Sequence, residues 1–133
     1  MTFLDGFHEL AIVTLLALLE YSIFGVMVGR AREKYGVEAP ATTGNPEFER
    51  YFRVHVNTLE NLIVFIPALW MFSLSVNYHF GVALGLLWII ARIIYASGYL
   101  SAAAKRAPGA IATALINAIL VLGSLIWLVI KAL

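Results

Sequence analysis

Long apolar runs broken by short polar joints make up this chain, in place of the short periodic segments of a soluble domain. Residues 9–28, 59–76, 80–101 and 110–130 each approach or reach the ~20 residues that cross a hydrocarbon core about 30 Å thick. The first run begins "MTFLDGFHEL", which is acidic and precedes no small-residue cleavage site, so it reads as a membrane helix and not as a cleaved signal. No repeat or low-complexity stretch interrupts the pattern. Residues 1–133 therefore read as a single all-α membrane domain, a bundle of four transmembrane helices.

The second span has a marked beginning. Asn45 suits the N-cap, Pro46 the first helical position, and Glu47 and Glu49 complement the positive end of the helix. "ERYFRVHVNTLEN" then runs directly into "LIVFIPALWMFSL". At 100° per residue, Arg53, Asn57 and Glu60 fall within about 60° of one another, with His55 nearly opposite Asn57 and Asn61 to one side. The third span ends "RIIYASGYLSAAAKRAPG", and Arg92, Tyr95, Tyr99 and Arg106 share a face of similar width if the helix stays regular to Arg106. Pro108 and Gly109 are expected to close that segment. The two spans run in opposite directions, so both polar stripes come to the same depth.

Composition sharpens this picture. The chain is 62% hydrophobic and 13% charged, against about a quarter charged in a typical soluble domain. A net charge of +1 offers no field for nucleic acid. With no cysteine there is no disulfide, thiolate metal site or cysteine nucleophile, so any thiol chemistry needs a thiol from outside. His8 and His79 lie where no other metal ligands gather. Lys and Arg concentrate in the first joint (Arg30, Arg32, Lys34, Arg50, Arg53) and the third (Lys105, Arg106), and "SLSVNYHFG" has none. The positive-inside rule puts those two joints in the cytoplasm and both termini on the other side.

Most polar residues have an ordinary explanation. Arg50, Lys34, Lys105 and Lys131 read as snorkelling anchors, and Trp70, Trp88 and Trp127 as belt or packing residues. Pro67 reads as a tolerated kink, Asn117 as interhelical glue and His55 as a packing residue. Glu20 and Arg92 have similar depth, which suggests a buried structural ion pair. The other six polar groups on the two matching faces, Arg53, Asn57, Glu60, Tyr95, Tyr99 and Arg106, are harder to explain that way, because ionisable residues inside a membrane pair with one another or serve function.

At these residues, "TTGNPEFERYFRVHVNTLENLIVFIPALW" and "ARIIYASGYLSAAAKRAP", the chain resembles the MAPEG family, the membrane-associated proteins in eicosanoid and glutathione metabolism. "RVHVNTLEN" is nearer to the microsomal glutathione transferase and prostaglandin E synthase branches than to the leukotriene branch, where a tyrosine stands in place of Asn61. The segment between Arg106 and Pro108 is also one residue shorter than in that branch. The resemblance implies a homotrimer that holds glutathione, the cosubstrate, between neighbouring subunits. It implies binding roles for Arg32, Arg53, Asn57, Glu60, Tyr95 and Tyr99, and stabilisation of the thiolate by Arg106. Chemistry agrees: arginines suit the two carboxylates of glutathione, Glu60 its ammonium, and a nearby cation the ionised thiol.

The activity expected is a membrane-bound glutathione transferase acting on lipophilic electrophiles, with peroxidase activity toward lipid hydroperoxides as a second use of the same thiolate. The alternatives are a non-enzymatic lipid-binding or partner-presenting protein of the activating-protein type, and a glutathione-dependent isomerase. A bacterial inner membrane, with the active site toward the cytoplasm, fits the small size of the chain and the lack of an endoplasmic-reticulum retention tail.

Overall fold

The computed structural model describes residues 2–133. Four long helices account for most of them: α1 (His8–Tyr35), α2 (Pro46–Ser75), α3 (Tyr78–Ser101) and α4 (Ala107–Ala132). All four spans expected from the pattern are present as helices: three lie within their helix, and the second overruns the end of α2 by one residue, Val76. The chain is a multi-pass membrane protein of the all-α class.

Local chemistry sets the helix ends. Gly36 terminates α1 in the left-handed region (φ 68°), which a residue without Cβ enters freely. The Asn45 side chain caps α2 by accepting from the Phe48 amide at 2.9 Å, as its position before Pro46 suggested. Asn77 caps α3 the same way through Phe80, at 2.8 Å. Pro67 sits inside α2 without ending it.

α3 ends where the third span was expected to end, so the condition of a regular helix through Arg106 is not met. It stops at Ser101, Ala102 is extended, and Ala103–Arg106 form a 3-10 turn that leads straight into α4. Two glycines permit this tight return. A Cβ on Gly98 would overlap the Lys105 carbonyl, and one on Gly109 would overlap the backbone of Tyr95. Pro108 and Gly109 do not close α3, as expected from their types, but lie in the first turn of α4, where proline forfeits no helical hydrogen bond.

α2 is the central helix and packs against α1, α3 and α4. Its inner face contributes Leu62, Phe65, Leu69 and Phe72 to a core shared with Leu10, Val13, Trp88 and Leu120. Phe65 and Trp88 stack with centroids 4.1 Å apart. The Tyr78 hydroxyl donates to Glu9 at 2.7 Å and so ties the start of α1 to the start of α3, at the end of the bundle away from the basic joints. Leu15, Leu19, Ile90, Leu122 and Ile126 point outward and are exposed, which suits lipid rather than water.

The tight return at Gly109 has a measurable consequence. Gly109→Ala should destabilise the protein by about 1–3 kcal/mol, because its Cβ must displace the Tyr95 backbone. Gly29→Ala, with nothing within 4 Å of the added carbon, should be neutral or slightly stabilising. Melting temperatures in mild detergent would compare the two, and equal values would contradict this packing.

Candidate functional site

On α2, one face carries Arg53 and Glu60 two turns apart. Their side chains meet, Nη1 to Oε1, at 3.2 Å, and remain about half exposed at 47% and 57%. Asn57 lies between them on the same face and is half-buried. Val54, beside Arg53, packs with Tyr95, Ala96 and Tyr99 of α3. The two polar stripes expected from the sequence are thus neighbours in a single chain.

Tyr95 is 3% exposed and Tyr99 half-buried, and their ring centroids lie 5.6 Å apart. Although the helix breaks, the 3-10 turn carries Arg106 back over the Tyr99 ring, with Cζ 5.6 Å from its centroid. Arg106 Nη1 donates to the Ala103 carbonyl at 2.8 Å, so the turn's own backbone orients the guanidinium. A cation, two phenols and the Arg53–Glu60 pair therefore occupy one end of the bundle.

Arg32 does not join this group within one chain. Its Nη1 donates to the Ala41 carbonyl at 2.7 Å and its guanidinium lies 4.9 Å over the Phe48 ring, which fastens the joint between α1 and α2. His55 stacks on Tyr21 with centroids 4.4 Å apart, and the missing side chain of Gly25 gives its imidazole room.

The ion pair expected between Glu20 and Arg92 does not form. Arg92, wholly buried, donates instead to Asn57 Oδ1 at 2.7 Å, Thr58 Oγ1 at 2.9 Å and Thr113 Oγ1 at 3.3 Å. It also lies face-on to the Tyr95 ring at 4.1 Å. Both Glu20 oxygens are buried without a hydrogen-bond partner. Similar depth brought these residues to the same level of the bundle, but α2 and α4 supply neutral acceptors closer to the guanidinium. Thr58 and Thr113 were missed by the sequence reading. Threonines inside apolar spans are common, and only their shared depth with Arg92 hinted at a role.

Asn61 and Asn117 extend the polar cluster. Asn61 Nδ2 donates to the Asn57 backbone carbonyl at 2.8 Å and to its side-chain oxygen at 3.3 Å. Asn117 Nδ2 of α4 donates to Asn61 Oδ1 at 3.2 Å, the interhelical link expected of it.

Fold and cluster define a class: a four-span membrane protein with a charged and phenolic site at one end of an apolar bundle. The MAPEG family profile matches residues 10–126, and the chain belongs to this family. It is 47% identical over 116 residues to an uncharacterized protein of Synechocystis, covering 87% of this chain and 85% of that one. Human microsomal glutathione S-transferase 2 is 46% identical over 100 residues, covering 75% of this chain and 68% of the relative. Bovine leukotriene C4 synthase is 39% identical over 104 residues, covering 77% and 68%.

The unpaired state of Glu20 generates a prediction. Glu20→Gln should leave the melting temperature unchanged or raised, because no partner is lost. Breaking a buried pair would instead cost about 3–5 kcal/mol, and a loss of that size would restore the ion pair.

Proposed function

We propose that this chain is a membrane-bound glutathione transferase that joins glutathione to lipophilic electrophiles. The observation that carries the reading is the Arg53–Glu60 pair, a cation and an anion side by side in a membrane helix of a MAPEG chain. Glutathione presents the complementary charges: Arg53 takes a carboxylate through a charge-assisted fork, and Glu60 takes the ammonium. The pair is about half exposed, so separating its members costs little. Microsomal glutathione S-transferase 2, by its name, uses the same cosubstrate.

Tyr95, Tyr99 and Arg106 lie toward the thiol. A guanidinium remains protonated at any working pH, so Arg106 acts by stabilising the thiolate, not by taking the proton. The thiolate attacks an electrophilic carbon that enters from the lipid side, forming an S–C bond as the leaving group departs with its electron pair. With a lipid hydroperoxide, sulfur attacks the outer oxygen and the O–O bond breaks to give a sulfenic acid and an alcohol. A second glutathione then yields the disulfide and water.

The working unit of this reading is a homotrimer, with the site toward the cytoplasm of a bacterial inner membrane. Below Arg53 and Glu60, the outward face of α2 continues through Ile63 and Met71, both well exposed in one chain. A neighbouring subunit on that face would exclude water from the site, and its Arg32 would then approach the bound glutathione. Mass measurement in mild detergent should return a trimer. Monomer alone, at concentrations that retain activity, would refute this assembly.

Arg53→Ala or Glu60→Ala should weaken glutathione binding by roughly ten- to hundredfold, the loss of about 1.5–3 kcal/mol from a charge-assisted contact. Unchanged affinity in well-folded Arg53→Ala protein would remove the reading. Arg106→Ala should lower turnover of an aryl halide and of a lipid hydroperoxide far more than it weakens binding, and Arg106→Lys should rescue part of the loss. If Arg106 is only an interfacial anchor, alanine will leave turnover intact.

A further inference from the structure

We infer that Arg92 is a positioning residue that locks the Asn57 side-chain amide with its oxygen inward, so that Asn57 meets glutathione as a hydrogen-bond donor. The inference rests on the glutathione reading above and concerns a residue to which that reading gives no role.

Donor and acceptor chemistry settles the orientation. A guanidinium has donors and no acceptor, so the Asn57 atom 2.7 Å from Arg92 Nη2 must be the oxygen. The other two partners of Arg92 are directed in the same way. The Thr58 hydroxyl donates to the Val54 carbonyl at 2.7 Å, and the Thr113 hydroxyl to the Gly109 carbonyl at 2.8 Å. Each has spent its single proton, so each can only accept from Arg92. Helices α2, α3 and α4 thus hold one guanidinium in a fixed pose.

Asn61 closes the lock from the other side. Its nitrogen lies 2.8 Å from the Asn57 backbone carbonyl, a group that only accepts, which turns its oxygen toward Asn117. The same nitrogen reaches Asn57 Oδ1 at 3.3 Å. Both lone pairs of Asn57 Oδ1 are then engaged, while its Nδ2 donates to no group among the described residues. A free asparagine could flip to suit either a donor or an acceptor on the ligand. Here a flip would press N–H against N–H of Arg92, so the amide is fixed. The ligand atom that meets it must be an acceptor, a carboxylate or peptide carbonyl oxygen of glutathione.

Glutathione titration and melting temperature would test this on the full-length protein in mild detergent. The variants are Asn57→Asp, Asn57→Ala, Arg92→Lys and the Asn57→Ala/Arg92→Lys double. Aspartate at position 57 keeps the acceptors that Arg92 and Asn61 need but removes the donor. Asn57→Asp should therefore melt no lower than wild type and bind glutathione at least about tenfold more weakly. Equal or tighter binding would overturn the proposal, because it would place an N–H of the ligand at this point. Arg92→Lys keeps the charge but not the three-way fork. It should raise KM for glutathione without changing KM for an aryl halide, and in the Asn57→Ala background it should cause no further loss of affinity. A loss that adds in full would show that Arg92 does not act through Asn57. If Arg92→Lys does not fold, Thr58→Val, which removes a neighbouring acceptor from the same Arg92 nitrogen, takes its place in the cycle with Asn57→Ala, with the same expected and contrary outcomes. If the wild type does not bind glutathione, the functional reading fails and takes the ligand half of this proposal with it. The melting arm still decides the amide orientation, which is wrong if Asn57→Asp melts as low as Asn57→Ala.

Discussion

A guanidinium inside hydrocarbon can neither shed its proton nor find water, so every helix around it must offer an acceptor. Arg92 imposes that requirement here. Asn57 and Thr58 on α2 and Thr113 on α4 accept from its two terminal nitrogens, the Tyr95 ring on α3 lies against it, and Nε is left without a partner; these contacts fix three of the four helices relative to one another. These partners are neutral. Fixing the helices therefore adds no second buried charge beside Arg92, and the carboxyl group of Glu20 stands apart from the cluster.

The same contacts reach the site. Asn57 belongs both to the buried cluster and to the half-exposed face that carries Arg53 and Glu60. Tyr95 packs on the buried cation, and Tyr99 beside it carries Arg106. An interior built for packing thus extends without a break into groups with the chemistry to bind a small charged thiol. This explains why polar residues cluster where an apolar helix begins. One surface of the cluster fixes the bundle, and in the proposed function the other binds glutathione.

Much of the fold was legible because hydrocarbon length and helix capping are local properties. Four apolar runs, Asn45 before Pro46 and the stripe of Arg53, Asn57 and Glu60 need only one helix to be read. The misreadings concern what several helices decide together. The face shared by Arg92 and Arg106 supposed a regular helix between them, whereas Gly98 and Gly109 let the chain turn back against α3 itself, a close approach invisible in sequence. Equal depth suggested a Glu20–Arg92 pair, but depth does not tell which side chain faces which. The resemblance implied a binding role for Arg32, yet within one chain it fastens a joint, and in the proposed function a neighbouring subunit brings it to the site.

In the proposed function this site binds glutathione and stabilises its thiolate. Ultraviolet thiolate absorbance of glutathione bound to the wild-type protein, followed against pH, tests it most directly. A free thiol ionises near pH 8.5, and each unit below that corresponds to about 1.4 kcal/mol of preference for the charged form. Saturable binding is expected, with the bound thiol ionised at least one unit lower. Absorbance that tracks free glutathione at every pH, at saturating protein, would contradict it.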